Sequence, residues 1–402
     1  MPDDGSAVPD EGGAFSGLAR PHRRVVLMGA AGIGLSGLTG VGIGNLIAPI
    51  GPEPQPGSIV PAHPLPPGLT PVQLAGQRVI YSYPGLTPPA SLLSAIGAGQ
   101  VAGVIFFGEN ISSESQIAAV ITKLRQAAAS SPVKLPLLLM TDQEGGLVRR
   151  LPGAPALSAK QVGEASDPVA AAKTAGNGAG LNLKGVGMNV NLAPVLDVFY
   201  TAGNFIDQYQ RSFSNNPATV SALGKAFVAA QQATGVAATV KHFPGLGAAS
   251  KSQNTDLGPV TLYQSLSQLR GTDEAPYPAA IAAGAKLVMC SWAVYPALDA
   301  NRPAGMSSAV VTGELRGRLG YNGVVITDAI EAGALSAHGT TGQRAVSAAA
   351  AGTDLMLCSA RDVSQGQAAT TALANAYTGG QLNQDGFKVA AYRIALMRRT
   401  LF

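Results

Sequence analysis

A regular alternation of short apolar runs with longer helix-like stretches, from residue 76 onward, constrains the fold of this chain more than any other feature. Eight runs are typical of buried strands, at residues 78–83, 101–107, 135–141, 188–195, 237–240, 287–291, 323–327 and 354–358. The stretches that favour helices are residues 114–129, 218–234, 262–283, 308–319 and 343–351. Parallel strands buried on both faces are nearly continuous in apolar residues. The alternation therefore predicts an α/β protein with a single (β/α)8 barrel of the TIM type, and a doubly wound open sheet is the alternative.

The composition permits a large core and restricts the partners. Of the 402 residues 46% are hydrophobic and only 12% are charged, which indicates a folded globular chain rather than a disordered one. The net charge of +4 is small, and part of it comes from Arg20, Arg23 and Arg24 near the N-terminus. No nucleic-acid partner is therefore expected, and a monomer is the expected state.

Histidines and cysteines are too scattered to indicate a metal site. The four histidines and the two cysteines, Cys290 and Cys358, show none of the spacings that metal ligands require. Neither a metal nor any other cofactor is expected. Both cysteines lie within apolar runs and are expected to be buried thiols, and a disulfide is possible only if their strands are neighbours.

The N-terminal 71 residues are expected to lie outside the barrel. Arg23-Arg24 precedes an uncharged, glycine-rich apolar stretch that runs to Ile50, which predicts a twin-arginine-like export signal or a membrane anchor over residues 1–50. Residues 51–71 are a proline-rich linker, and residues 72–402 form the barrel. Gly32–Gly37 mimics a dinucleotide-binding fingerprint, but prolines follow it instead of a helix and a second strand. The predicted location is extracellular, or attached to the outer face of the cytoplasmic membrane.

Charged residues follow three of the predicted strands directly. Asp142 comes after the third run, Lys241 and His242 after the fifth, and Asp328 after the seventh. In a barrel these positions meet at the C-terminal mouth, where active sites lie, although an aspartate there can also cap a helix. Adjacent side chains on a strand point to opposite faces, and the Phe-Pro-Gly after His242 is expected to bend the strand.

Four motifs in order along the chain resemble those of one enzyme family. They are Asp142-Gln143-Glu144-Gly145-Gly146 with Arg150, Ala193-Pro194-Val195-Leu196-Asp197 with Arg211-Ser212-Phe213, Lys241-His242-Phe243-Pro244-Gly245-Leu246-Gly247, and Val325-Ile326-Thr327-Asp328. Together they resemble the bacterial β-N-acetylglucosaminidases of glycoside hydrolase family 3 over roughly residues 70–400. Leu246 departs from the histidine that the family has in the third motif.

The resemblance implies a retaining glycosidase with a carbohydrate substrate and with Asp328 as the nucleophile that forms a glycosyl-enzyme. It also implies a set of side chains that bind the sugar hydroxyls and the N-acetyl group, namely Asp142, Arg150, Arg211, Lys241 and His242. Charge-assisted hydrogen bonds from such groups suit vicinal hydroxyls.

The predicted acid/base loop departs from the family pattern. Where the family has Asp-Ser-His, whose histidine transfers the proton, this chain has Ser252-Gln253-Asn254, and an asparagine cannot transfer a proton. Asp256 is the leading substitute, and His338 and Glu331 are the other candidates. The alternative for Asp256 is a structural one, as the cap of a turn before Gly258-Pro259.

Three functions remain compatible with the sequence. The leading one is an exported glycosidase that acts on β-linked N-acetylhexosaminides, including cell-wall glycans such as peptidoglycan fragments. A second is a β-glucosidase-like enzyme or a glycoside phosphorylase, because a changed acid/base loop need not serve the same leaving group. A third is a non-catalytic barrel that binds glycans at the cell surface.

Overall fold

Eight parallel strands close into a barrel in the computed structural model, which describes residues 65–401. In chain order the strands are β1 (Val79–Tyr81), β2 (Gly103–Ile105), β3 (Leu138–Thr141), β4 (Val190–Asn191), β5 (Ala237–Phe243), β6 (Leu287–Cys290), β7 (Val324–Ala329) and β8 (Leu355–Leu357). Each strand pairs with the next, and β8 pairs with β1 to close the ring. Each of the eight predicted runs contains or overlaps one strand. The (β/α)8 prediction is confirmed, and the open-sheet alternative is wrong.

Helices connect the strands and surround the barrel. The α-helices of at least five residues are Pro71–Gly76, Ala90–Gly97, Glu114–Ala129, Ala159–Gly163, Pro168–Val186, Pro217–Gln232, Tyr277–Ala282, Thr341–Ala350, Val363–Thr378 and Gln384–Arg399. The predicted helix at 114–129 has the bounds observed, and those at 218–234 and 343–351 agree within a few residues. The helix predicted at 308–319 is a π-helix, Ala309–Arg318.

The prediction of one continuous helix over residues 262–283 is wrong. The segment contains a short helix at Leu266–Gln268, a π-turn at Leu269–Asp273 and a separate helix at Tyr277–Ala282. Pro276 and Pro278 lack the N–H that a continuing helix would donate, and Gly271 disfavours its interior. The prediction was wrong because it relied on the apolar residues of this segment and gave too little weight to its prolines and glycine.

Alternate residues along the strands fill the inside of the barrel. Ile80, Leu138, Val190, Leu287, Val324 and Leu355 belong to one buried cluster. Their strand neighbours, such as Val79 and Val325, pack instead with residues of the surrounding helices. The interior is therefore a solid core, and its C-terminal end opens into a cavity.

The predicted linker overlaps with the part of the chain that packs on the barrel. Leu65 is buried in a cluster with Val133, Leu135 and Ala391, and Leu69 packs against it. The expectation that residues up to 70 add nothing to the core is therefore wrong for this end of the linker. The predicted export signal, and the linker up to residue 64, lie outside the described residues. Between residues 65 and 401, no helix combines the length and apolar character needed to cross a bilayer.

A chain beginning at residue 65 is expected to unfold in one cooperative transition, with the midpoint of the full chain. A chain beginning at residue 71 loses the Leu65 contacts, and burying one leucine stabilises a fold by about 2 kcal/mol. Its thermal midpoint should fall by a few degrees in scanning calorimetry. Equal midpoints for the two shortened chains would contradict the packing role of Leu65.

Candidate active site

A cavity of about 220 Å³ opens at the C-terminal end of the barrel. All seven predicted site residues line it, namely Asp142, Arg150, Arg211, Lys241, His242, Asp256 and Asp328. The floor of the cavity is apolar. It consists of one side chain from each even-numbered strand or its end, namely Ile105, Leu192, Met289 and Leu357. The charged groups come from the ends of β3, β5 and β7 and from loops. The prediction that these segments meet at one mouth is confirmed.

The segment after β3 turns back on itself and brings Arg150 to the cavity. Gln143–Gly145 and Val148–Arg149 pair as a small antiparallel hairpin. Gly145 and Gly146 have φ of 111° and 56°, a conformation that favours glycine, and a Cβ on Gly145 would lie 2.2 Å from the Leu157 carbonyl oxygen. Among the described residues the buried Nε of Arg150 has no hydrogen-bond partner.

Four charged groups form a connected network on one wall. Lys241 Nζ lies 2.8 Å from Asp142 Oδ1 and 2.8 Å from Glu144 Oε1. Arg211 holds the Glu144 carboxylate with both Nε (2.9 Å) and Nη2 (2.8 Å). Burial alone would raise the pKa of Glu144, but Arg211 and Lys241 lower it well below its usual range. Burial alone would lower the pKa of Lys241, but Asp142 and Glu144 raise it, so both groups stay charged.

His242 is oriented by Asp197. His242 Nδ1 lies 2.7 Å from Asp197 Oδ2, and since a carboxylate only accepts, Nδ1 carries the proton. Asp197 Oδ1 also accepts from the Leu246 N–H at 2.7 Å. The other ring nitrogen, Nε2, lies 3.4 Å from Arg211 Nη2, at the cavity wall.

Lys241 and His242 both reach the cavity because β5 is irregular at these two residues. The bend predicted from the sequence lay after them, at Phe-Pro-Gly. Between Val240 and Phe243, β5 has one residue more than β6, and the Lys241–His242 peptide bond is cis. A bulge of this kind redirects side chains at a strand end. The irregularity of β5 thus includes Lys241 and His242 themselves, and Pro244 and Gly245 carry the chain onward.

Asp328 lies at a similar irregularity in β7. Between Ile326 and Ala329 this strand has one residue more than β8, and Thr327 Oγ1 accepts the Leu357 N–H at 2.9 Å. Asp328 Oδ1 accepts the N–H of Ala329 at 2.7 Å. The bulge presents the carboxyl group to the cavity while the strand pairing continues on both sides.

The three acid/base candidates have different environments. His338 lies in a separate surface cleft with Thr340 and Gln343. The Glu331 carboxylate accepts from Ser359 Oγ (2.5 Å), Ser359 N (3.2 Å) and Gln365 Nε2 (3.0 Å). Of the three candidates, Asp256 lines the cavity.

The residue Asp256 as a whole is exposed, but it also lines the cavity, where its carboxyl group has a perturbed environment. Burial of its carboxyl group and the nearby Asp328 raise its pKa to about 6, against the opposing effects of Arg211 and His242. The turn before Gly258 is capped by Asn254, whose Oδ1 accepts the Asp256 N–H at 2.9 Å. The capping role considered for Asp256 thus belongs to Asn254.

Two carboxylates that pair with cavity-lining residues, Glu144 and Asp197, were missing from the predicted site. Glu144 lies two residues after Asp142 in the first motif, and Asp197 follows the fourth apolar run. The rule that selected Asp142 and Asp328, a charged residue directly after an apolar run, passes over Asp197 because Leu196 intervenes, and a rule that allowed one further residue would have found it. Glu144 holds Arg211 and Asp197 holds His242, so the two carboxylates fix the positions of two side chains that line the cavity.

Cys290 and Cys358 are buried free thiols, as predicted, and β7 separates their strands. Within residues 65–401, no group of three histidine, cysteine or acidic side chains could hold a metal ion.

The closed eight-stranded barrel with a charged cavity at its mouth defines the class of the fold, an α/β barrel, and comparison with known proteins gives the family. Residues 79–397 match the glycosyl hydrolase family 3 N-terminal domain. The chain therefore belongs to glycosyl hydrolase family 3, as the sequence motifs predicted, and it is a glycoside hydrolase.

Relatives of known sequence or structure span most of the chain. A protein of Arthroderma benhamiae described as an uncharacterized secreted glycosyl hydrolase is 49% identical over 329 residues, which cover 81% of this chain and 93% of that protein. The family 3 β-N-acetylglucosaminidase of Paenibacillus sp. has a TM-score of 0.77 and 34% identity over 83% of this chain, which spans 62% of that protein. The β-N-acetylhexosaminidase of Beutenbergia cavernae has a TM-score of 0.75 and 32% identity, with 82% of this chain and 99% of that protein covered.

Proposed function

We propose that this chain is an exported retaining glycosidase that hydrolyses β-linked N-acetylhexosaminides, with Asp328 as nucleophile and Asp256 as general acid/base. The observation that carries the proposal is the meeting of two carboxyl groups of different environment in one cavity, beside a wall of charged side chains that are already paired. The names of the Paenibacillus and Beutenbergia proteins support the choice of sugar. Cell-wall glycans such as peptidoglycan fragments are the proposed natural source of that sugar.

In the first step a carboxylate oxygen of Asp328 attacks the anomeric carbon and the glycosidic bond breaks. Asp256 gives its proton to the leaving oxygen, so the aglycone departs as a neutral alcohol. In the second step the Asp256 carboxylate takes a proton from water, and the water oxygen displaces Asp328 from the anomeric carbon. Two inversions leave the sugar with its original β configuration.

The wall formed by the paired charged side chains binds and orients the sugar. Asp142 and Lys241 are already paired at 2.8 Å, so their remaining hydrogen-bonding positions are held ready for vicinal hydroxyls. Arg150 lines the same cavity and adds a guanidinium group to this wall. Arg211 and His242, fixed by Glu144 and Asp197, complete the set of polar groups on this wall.

Export is part of the proposal for two reasons. A basic pair followed by an apolar stretch lies at residues 23–50, and the Arthroderma relative is described as secreted. A membrane anchor at this segment is the alternative to a cleaved signal.

The test compares aryl β-N-acetylglucosaminide, β-N-acetylgalactosaminide and β-glucoside as substrates of a chain beginning at residue 65. We expect N-acetylhexosaminides to have kcat/KM at least tenfold above that of the glucoside, and the first product seen by NMR to be the β anomer. A higher kcat/KM for the glucoside than for the N-acetylhexosaminides favours the hypothesis of a β-glucosidase-like enzyme. Saturable glycan binding with no turnover of any aryl substrate favours the non-catalytic barrel.

A further inference from the structure

The loop that carries Asp256 is attached to the segment that follows the nucleophile. The N–H of Gly333 donates to the Asp256 carbonyl oxygen at 2.8 Å, and the N–H of Ala334 donates to that of Thr255 at 2.9 Å. Two adjacent backbone hydrogen bonds define both the position and the direction of the loop at Asp256.

At Gly333 the segment that follows the nucleophile approaches the backbone of the Asp256 loop most closely. A Cβ at this position would lie 2.5 Å from the Leu257 carbonyl carbon and 2.8 Å from the Asp256 carbonyl oxygen, distances at which the backbone must move. Gly333 does not have the left-handed φ that would call for glycine on conformational grounds. The close approach of the Asp256 loop is therefore the reason that glycine fits here.

The Gly333 side of this contact is held firmly by the barrel. The N–H of Ile330 donates to Leu357 in β8 at 3.0 Å. Glu331 accepts three hydrogen bonds from Ser359 and Gln365, which lie beyond the end of β8. The segment between Asp328 and Gly333 is thus anchored to the strand next to β7.

The Asp256 side is anchored less. Lys251, Ser252 and Leu257 are exposed, with Leu257 at 82%, and the turn itself is closed by hydrogen bonds to Asn254. If a side chain were added at Gly333, the less anchored loop would move, and the Asp256 carboxyl group would leave its place beside Asp328.

We propose that Gly333 and Glu331 are positioning residues that hold the Asp256 carboxyl group at the mouth of the cavity, so that the general acid is fixed to the same segment as the nucleophile. This inference rests on the proposed function. Neither residue is required to touch the substrate; Glu331, considered from the sequence as an acid, acts as the anchor of the segment.

The test compares Gly333→Ala with Gly258→Ala, a control on the same loop where an added Cβ has no heavy atom within 4 Å. For Gly333→Ala we expect kcat/KM to fall by about 10²-fold with alkyl or sugar leaving groups, the lower end of the range for general acid catalysis, because the acid is displaced and not removed. Dinitrophenyl glycosides, which need no acid, should keep their glycosylation rate. Gly258→Ala should match the wild type with both substrates.

The pH profile supplies a second readout that a purely structural role would not move. Burial, Asp328 and Glu331 raise the pKa of Asp256, whereas Arg211 and His242 lower it, and the net effect is a rise to about 6. A displaced loop brings this pKa back toward its ordinary value. The alkaline limb of kcat/KM, where the acid loses its proton, should therefore shift to lower pH in Gly333→Ala.

Glu331→Gln is a second variant, for the case that Gly333→Ala does not fold. It replaces one carboxylate oxygen, which accepts hydrogen bonds from Ser359 and Gln365, by an amide NH₂ group that cannot accept them. We expect the same selective loss, smaller in size. An equal loss across all leaving groups, or no loss in either variant, overturns the inference. A wild type that is inactive even on dinitrophenyl glycosides overturns the proposed function and this inference with it.

Discussion

Asp328→Asn is expected to lower kcat for aryl β-N-acetylglucosaminides by roughly 10⁴- to 10⁶-fold, the range found when residues that act as a unit with a nucleophile are removed from other hydrolases. The amide keeps the shape of the carboxyl group, and its Oδ1 can still accept the Ala329 N–H. It cannot form a glycosyl-enzyme of useful lifetime, because it lacks the charge that attacks the anomeric carbon. Steady-state rates give kcat, and single-turnover rates on a dinitrophenyl glycoside measure the glycosylation step alone, to which the general acid does not contribute.

The control for this variant is Asp385→Asn, the same chemical change at a side chain that is 93% exposed near the start of helix Gln384–Arg399. It should leave the rates unchanged. Mass spectrometry of the wild type, trapped with a slow fluorinated substrate, should place the glycosyl group on the peptide that contains Asp328. An adduct on another peptide, or near-normal rates for Asp328→Asn, would show that the nucleophile lies elsewhere.

Asp256→Ala is expected to produce a loss that depends on the leaving group. Glycosides with poor leaving groups should lose about 10²- to 10⁴-fold in kcat/KM, because their departing oxygen receives no proton. Dinitrophenyl glycosides should form the glycosyl-enzyme at a nearly normal rate and then accumulate it, since no base activates water. Azide, which needs no base, should restore turnover and yield the β-glycosyl azide.

The wild-type pH profile is part of the same test. Protonated Asp256 is the active form for a poor leaving group, and its pKa is raised to about 6, so kcat/KM should fall as the pH rises through that value. The alkaline limb should be absent from Asp256→Ala. The control is Ser252→Ala, at an exposed position of the same loop. A uniform loss across leaving groups, with no azide rescue, would return Asp256 to a structural role.

The strand positions and the motif residues could be predicted because their signals are local. Eight apolar runs each contain or overlap a strand, since a strand buried on both faces must be apolar almost throughout. The same local rule placed Asp142, Lys241 and Asp328 at the cavity, because the C-terminal ends of parallel barrel strands meet at one face. Apolar content was a poor guide to the helix predicted at residues 262–283, where proline and glycine interrupt an otherwise apolar segment.

The choice among the three acid candidates was a matter of tertiary structure. Asp256, Glu331 and His338 are all titratable groups near a motif, and nothing in their local sequence says which one faces the cavity. Glu331 is held by Ser359 and Gln365, and His338 lies in another cleft. These contacts join residues that are far apart in the chain.

The sequence by itself determined the barrel, its family and the strand ends that carry charge, because apolar periodicity and short motifs are properties of consecutive residues. Only the tertiary structure decided which charges pair, as for Arg211 with Glu144 and His242 with Asp197. It also decided where Asp256 lies, through the approach of Gly333. Strand bulges and loop contacts depend on distances between remote segments, and a distance of that kind exists only once the barrel has closed.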